Sequence, residues 1–191
     1  MESSQGFYNY TADEIKNIKF LVEANKDIIR SIIPYLGQVQ DKVLLEIGSG
    51  RGLLLVAASE IGFNKALGVD YNVASFNETK RIIEVKDNVY MFNDVAAITI
   101  DDKVDCLVMW HTLEHIPEPN SFFRLINKRL SEGCILFIQV PQYNQPYLCN
   151  THHYFYNEPS ISLLLKNNGW RVIKLEYDLK SQFMTVVAKR Q

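Results

Sequence analysis

The sequence has little cysteine, no surplus of either charge, no long apolar run and no stretch that looks like a linker. Its three cysteines, Cys106, Cys134 and Cys149, are an odd and sparse set, and two of them lie in apolar runs that read as buried strands. This argues against a disulfide framework and for reduced thiols in a cytoplasmic protein. Twenty basic residues against twenty-two acidic ones give a formal net charge of −2. No excess remains to grip a phosphate backbone, so nucleic acid is not an expected partner. No apolar run approaches the roughly 18 residues of a membrane span, and the opening MESSQGFYNYTADE lacks the basic flank and apolar core of a signal peptide. No membrane partner is expected. There is no internal repeat and no Gly/Ser/Pro-rich tract.

What is present is a chain of 191 residues, 47% hydrophobic, which suits one domain with a substantial core. It is also 12% aromatic. Phe7, Tyr8 and Tyr10 gather near the start, and Tyr143, Tyr147, Tyr154, Phe155 and Tyr156 gather late in the chain.

Helical and strand patterns alternate. Thr11 with Glu14 is a capping-box signature, and Ile15, Ile18, Val22, Ile29 and Ile32 follow at helical spacing until Pro34 and Gly37. Strands are predicted over 42–47, 66–70, 88–92, 104–110 and 134–140, with helices over 52–61 and 72–85 and a third after Pro117 and Pro119 that closes near Gly133. A loop of about sixteen residues after the fifth strand is long for a compact domain and marks a functional candidate. A helix over 157–168 and two closing strands, 170–178 and 181–189, complete the chain. The short join makes that last pair antiparallel. The alternation predicts a mostly parallel sheet with helices on both faces, and such sheets bind ligands beyond the carboxyl ends of their strands.

After the first strand stands Glu46-Ile-Gly48-Ser49-Gly50-Arg-Gly52. Glycines at alternate positions permit a tight turn and a close ligand approach at the start of a helix. A plain structural turn is the alternative. Asp70 ends the second strand twenty residues after Gly50, where a carboxylate can accept from both hydroxyls of a ribose; a turn or cap role is its alternative. The dinucleotide fingerprint G-x-G-x-x-G would need glycine where Leu53 stands, which disfavours an NAD-dependent oxidoreductase.

The E-x-G-x-G-x-G run resembles the first motif of the class I S-adenosylmethionine-dependent methyltransferases. Asn93-Asp94 after the third strand is similar to that family's acidic position. Trp110-His-Thr-Leu-Glu-His-Ile-Pro-Glu-Pro119 and the His153-Tyr-Phe-Tyr run resemble its branch of quinone- and sugar-methylating enzymes. The resemblance covers residues 40–190. It implies a Rossmann-like seven-stranded sheet of order 3-2-1-4-5-7-6 with strand seven antiparallel, S-adenosylmethionine as cofactor and S-adenosylhomocysteine as product. By the same resemblance Glu46, Gly48, Ser49, Gly50 and Gly52 hold the aminoacid portion and ribose, and Asp70 takes the ribose diol. Tyr71 lies against the adenine, Asp94 and the Val95 amide read its edge, and Trp110 borders the methionine moiety. Core packing is the alternative for Tyr71 and Trp110.

His111-Thr-Leu-Glu114-His115 also matches the H-x-x-E-H signature of a zinc hydrolase class, but that motif needs a helix and this run meets Pro117 almost at once. Some quinone-type O-methyltransferases hold a divalent cation with E-x-x-E-H at this place, and here His111 replaces the first glutamate. No metal is expected, with that cation as the alternative. A hydroxyl acceptor benefits from a base of near-neutral pKa, a task suited to histidine. His111 and His153 are the catalytic candidates, and Tyr8, His152, Tyr154 and Tyr156 the acceptor-binding ones. The two aromatic segments are expected to meet over the cofactor.

The expected function is methylation of a small polar acceptor, most plausibly the oxygen of a sugar or related metabolite, by a single-domain monomer or homodimer with an N-terminal helical cap over 1–38 and a core over 39–191. The alternatives are a cofactor-binding module without turnover and a methyltransferase of protein or RNA.

Overall fold

A computed structural model describes residues 10–99, 103–143 and 149–191. The chain divides into two compact units, Met1–Asp101 and Asp102–Gln191. In the first, helices α1 (Ala12–Lys16), α2 (Ile18–Leu36), α3 (Leu53–Ile61) and α4 (Val73–Ile82) accompany strands β1 (Val43–Ile47), β2 (Lys65–Val69) and β3 (Val89–Phe92). In the second, β4 (Val104–Trp110), α5 (Pro119–Ile126), β5 (Leu130–Pro141), α6 (Glu158–Asn167), β6 (Trp170–Tyr177) and β7 (Phe183–Arg190) follow. The strand order is β3-β2-β1-β4-β5-β7-β6. The pairs β1–β2, β2–β3 and β4–β5 are parallel, while β7 runs antiparallel to both β5 and β6. This is the Rossmann-like methyltransferase fold that the sequence predicts. None of the described helices is long and apolar enough to cross a membrane.

Strand β1 is buried at every position, Val43 to Ile47, as expected of a strand covered on both faces. Helix α3 begins after Gly52 and stops at Gly62, both left-handed, and α2 stops at Gly37 in the same half of backbone space. Val22 of α2 packs with Val56 and Ala57 of α3, flanked by Leu53, Ile83 and Val85. The second unit is closed around Trp170, whose ring meets Phe123 edge-on at 6.3 Å.

Two local readings of the sequence are corrected. The N-terminal helical run is not continuous, because Asn17 leaves the helix and its side-chain amide bonds back to Asp13 O at 2.9 Å. Ile15 is therefore exposed, while Ile18, Val22, Ile29 and Ile32 form the buried stripe. Gly133 does not close a helix. Helix α5 gives way to a 3₁₀ turn at Asn127–Arg129, and β5 already starts at Leu130. Gly133, with φ 72°, sits inside that strand where its register against β4 shifts. Glycine serves a bulge and a helix stop by the same conformational freedom.

Gly37 and Gly52 share a positive φ but differ in their surroundings. A Cβ on Gly37 would meet nothing within 4 Å, whereas one on Gly52 would lie 2.6 Å from the Phe76 ring. Gly37→Ala should cost about 1–2 kcal/mol from backbone strain alone. Gly52→Ala should cost at least about 1 kcal/mol more, because the buried ring has to move. Equal losses in urea denaturation would contradict this packing of the loop against α4.

Candidate active site

On the β2 side, the glycine loop is held by backbone and by the Asp70 carboxylate. Gly48 N–H and Ser49 N–H both donate to Val69 O, at 2.8 and 3.2 Å. Asp70, 6% exposed, accepts from Gly50 N–H through Oδ2 at 2.8 Å and from Asn72 N–H through Oδ1 at 2.9 Å. Each carboxylate oxygen has two lone-pair sites, so Asp70 can fix the loop and still accept from a diol. Behind the loop, Gly68 keeps the space that Ser49 Oγ, the Leu55 side chain and Met91 Sδ fill.

Helix α4 supports the loop in a way the sequence did not suggest. Ser75 Oγ donates to Gly50 O at 2.9 Å, and Thr79 Oγ donates to Arg51 O at 2.7 Å. Their four-residue spacing puts both on one helical face, and both are buried. The start of the described chain ties on as well. Tyr10 and Thr79 share a hydroxyl hydrogen bond of 2.7 Å, and the Arg51 guanidinium lies 4.4 Å over the Tyr10 ring. Arg51 also bonds Glu14 at 2.9 Å, which together with the Thr11 bonds holds the Glu14 carboxyl down to about 2. Tyr10 thus packs onto the glycine loop and α4.

Glu46 is the unusual group. It is 5% exposed, its Oε2 has no hydrogen-bond partner among the described residues, and burial followed by the nearby Asp70 charge pushes its carboxyl up to about 8. An orphaned buried acid is costly. A ligand ammonium group would relieve it, so this cradle fits the aminoacid end of S-adenosylmethionine. Tyr71 is 70% exposed, which removes core packing as its explanation. One oxygen of Asp94 accepts from Ala96 N–H at 2.6 Å and caps a 3₁₀ turn that starts at the buried Val95.

In the second unit, the residues after β4, the end of β5, the segment beyond it and the start of β7 build a cavity of about 300 Å³ lined by His111, Glu114, His115, Pro141, His152 and Phe183. Trp110 stacks on Phe137 at 5.5 Å and 20°, so it is packed on one face. His111 follows with φ 52°, an uncommon conformation for a residue with a side chain. Its N–H continues the strand ladder to Gln139 O at 2.9 Å, and its ring rests edge-on against Phe183 at 4.8 Å. Burial holds the His111 imidazole below its ordinary pKa, while burial pushes the Glu114 carboxyl up to about 7. His111 Nδ1 lies 3.9 Å from Glu114 Oε1, too far for a hydrogen bond, and burial disfavours the charged form of each.

The sequence favoured His153 over His152, and the side chains are placed the other way. His152 lines the cavity, whereas His153 is exposed and serves through its backbone, whose N–H donates to Glu114 O at 2.8 Å. Tyr154 is exposed and its hydroxyl donates to Pro117 O at 2.9 Å. Tyr156 is 6% exposed, with a hydroxyl that has no partner among the described residues; burial keeps it protonated. Tyr143 and Phe155 meet edge-on at 5.3 Å. Tyr8, Phe7 and Tyr147 lie outside the described residues.

Because Glu46 binds its proton more tightly in the fold than in an unfolded chain, the native state retains a proton that the unfolded chain has released between about pH 4.5 and 8. Stability should therefore fall as pH rises through that window. Glu46→Gln has no such proton to lose, so its stability relative to the parent should grow by about 2 kcal/mol or more between pH 5 and pH 9. Parallel profiles in denaturant titrations at the two pH values would contradict the burial of an unpaired acid.

A family model described as a methyltransferase domain matches residues 20–175. Ribosomal protein L11 methyltransferase of Lactobacillus gasseri is 31% identical over 110 residues, 54% of this chain and 35% of that protein. The chain thus spans about a third of that relative's length. A solved S-adenosylmethionine-dependent methyltransferase from Aquifex aeolicus shares the fold with a TM-score of 0.71 at 19% identity, over 96% of this chain and 100% of that one. The magnesium protoporphyrin IX methyltransferase of Synechocystis PCC 6803, solved with bound S-adenosylhomocysteine, shares it with a TM-score of 0.69 at 13% identity, over 98% of this chain and 95% of that one. With its strand order and the matched residues taken together, this chain belongs to the methyltransferase domain family and has the fold of the class I S-adenosylmethionine-dependent methyltransferases.

Proposed function

We propose that this protein methylates an oxygen of a small polar acceptor, a sugar or related metabolite, as a cytoplasmic enzyme. The observation that carries the cofactor half of this reading is the orphaned Glu46 carboxyl beside Asp70 and the glycine loop. S-adenosylmethionine supplies an activated methyl group on a sulfonium, so the protein has mainly to position the reactants and keep water out. Glu46 receives the ammonium group, Gly48 to Gly52 receive the aminoacid portion, and Asp70 accepts from the ribose hydroxyls. Tyr71, an exposed ring, lies against the adenine, and Asp94 with the Val95 amide reads its edge.

The acceptor half rests on the second unit. His111 is the preferred base: the burial that lowers its pKa leaves the imidazole neutral at pH 7 and able to take a hydroxyl proton. Trp110 borders the methionine moiety, and His152, Tyr154 and Tyr156 form the acceptor's surroundings, with the buried Tyr156 hydroxyl supplying a hydrogen bond that no group among the described residues uses. The similarity to a ribosomal protein methyltransferase supports a second reading, a protein acceptor. The near-neutral charge and the histidine-lined cavity favour the small molecule.

Calorimetric titration should show S-adenosylmethionine binding and no NAD binding. Asp70→Ala should weaken cofactor binding at least about 100-fold, since one change removes the ribose acceptor and the Gly50 anchor (about 2.7 kcal/mol). Binding of NAD alone, or unchanged affinity in Asp70→Ala, would overturn the site. Labelled methyl transfer should then appear in a small-metabolite extract and not in ribosomal protein; the reverse outcome selects the protein acceptor.

A further inference from the structure

The cavity of the second unit presents hydrogen-bond acceptors to whatever enters it. Glu114, which lines it, is 1% exposed, and its Oε2 has no hydrogen-bond partner among the described residues. A desolvated carboxylate oxygen needs a donor, and a charged donor compensates it best. His115 lines the same cavity, and its Nδ1 lies 2.9 Å from Thr151 O. A carbonyl only accepts, so Nδ1 donates there and Nε2 keeps its lone pair. His152 joins them from the segment after β5, and Glu114, His115 and His152 bring one polar side-chain atom each to within 4.8 Å of one another. Glu114 O accepts from His153 N–H at 2.8 Å and from Tyr154 N–H at 3.4 Å, which ties that segment to the turn after β4.

The ligand chemistry that answers these groups is a primary ammonium. It carries three N–H donors at tetrahedral angles and no acceptor. With charge-assisted bonds of about 2.7–2.9 Å, three acceptors around it stand roughly 4.4–4.7 Å apart. The spread of Glu114, His115 and His152 allows that arrangement. A hydroxyl brings one donor and turns its own lone pairs towards the remaining acceptors. The Phe183 ring lines the same cavity, and aromatic rings attract ammonium groups. His111 is there too, its Nδ1 3.9 Å from Glu114 Oε1. A molecule whose ammonium rests on Glu114 therefore brings a hydroxyl on the adjacent carbon towards the imidazole.

We propose that the acceptor is a 1,2-amino alcohol, such as an amino sugar unit, whose primary ammonium is held by Glu114 with His115 and His152 while the neighbouring hydroxyl is methylated. The inference rests on the reading of this cavity as the acceptor site of an O-methyltransferase, and it names the acceptor's class. The hydroxyl oxygen forms the new bond to the methyl carbon, the carbon–sulfur bond breaks with its electron pair going to sulfur, and the hydroxyl proton passes to His111. The nitrogen does not compete, because a protonated amine has no lone pair to attack with. Glu114 thus sets both which acceptors bind and which of their atoms reacts.

The test has a binding arm and a transfer arm. Ethanolamine, the smallest 1,2-amino alcohol, is titrated into the protein at pH 8 with a chelator present, and the histidine ring protons are followed by NMR. It should give saturable shifts of the His115 and His152 resonances, at an affinity at least about 10-fold above that of ethylene glycol. Glu114→Gln and His152→Ala should each weaken ethanolamine binding at least about 10-fold. Circular dichroism and S-adenosylmethionine titration report whether each variant is folded, and His152→Ala changes only a half-exposed loop side chain. In the transfer arm, labelled methyl should pass to the fraction of a metabolite extract retained on a cation exchanger, and prior acetylation of its primary amines should abolish the transfer. Transfer that survives acetylation, ethanolamine shifts no stronger than those of ethylene glycol, or unchanged ethanolamine binding in the folded variants overturns the inference and leaves the methyltransferase reading standing. Absence of transfer to any small molecule overturns that reading, and the inference with it.

Discussion

The glycine loop owes its shape to the Asp70 carboxylate. One oxygen takes Gly50 N–H and the other takes Asn72 N–H, so a single side chain at the end of β2 orders both the turn after β1 and the turn that leads into α4. The surrounding packing serves the same end. Gly68 stays small so that Ser49 and Met91 can sit beside it, Gly52 stays small beneath Phe76, and Ser75 and Thr79 hold the loop's carbonyls from α4. The negative charge needed for that order raises the cost of ionising Glu46 nearby. Structural order and ligand readiness are two consequences of one charge.

The second unit repeats this arrangement with different residues. Glu114 is buried, has no partner on one oxygen among the described residues and anchors the segment bearing His152 through its own carbonyl. A fold has no reason of its own to leave a buried carboxyl oxygen in each unit without a partner among the described residues. Such groups cluster where ligands complete them. Glu46 suits an ammonium group, and Glu114 stands at the edge of the histidine-lined cavity.

Much of this was legible from residue order. The short join between the last two strands required an antiparallel pair, and β5, β7 and β6 are arranged so. The alternating glycines and Asp70, twenty residues after Gly50, were readable as a cradle, because strand ends are where such sheets bind. What was not legible depends on contacts between distant residues. Gly133 has the same signature whether it stops a helix or bulges a strand. Ser75 and Thr79 read as an ordinary polar face until the loop carbonyls are placed against them. His152 and His153 are adjacent and chemically identical, and which imidazole lines the cavity goes with tertiary contacts such as the bond from His153 N–H to Glu114 O. The left-handed backbone at His111 has no sequence mark at all, since glycine would be the residue expected there.

The claim at the centre of this account is that Glu46 waits as a protonated acid for the ammonium group of S-adenosylmethionine. The direct measurement is the number of protons exchanged on cofactor binding, from calorimetry at pH 6.5 in buffers of different ionisation enthalpy. The cofactor's α-ammonium is already mostly protonated there, since α-amino groups titrate near 7.7–8.0. Glu46, pushed up to about 8, is the group that must change. The account predicts release of close to one proton per cofactor bound, abolished in Glu46→Gln. Binding with no proton release, or the same release in Glu46→Gln, would contradict it.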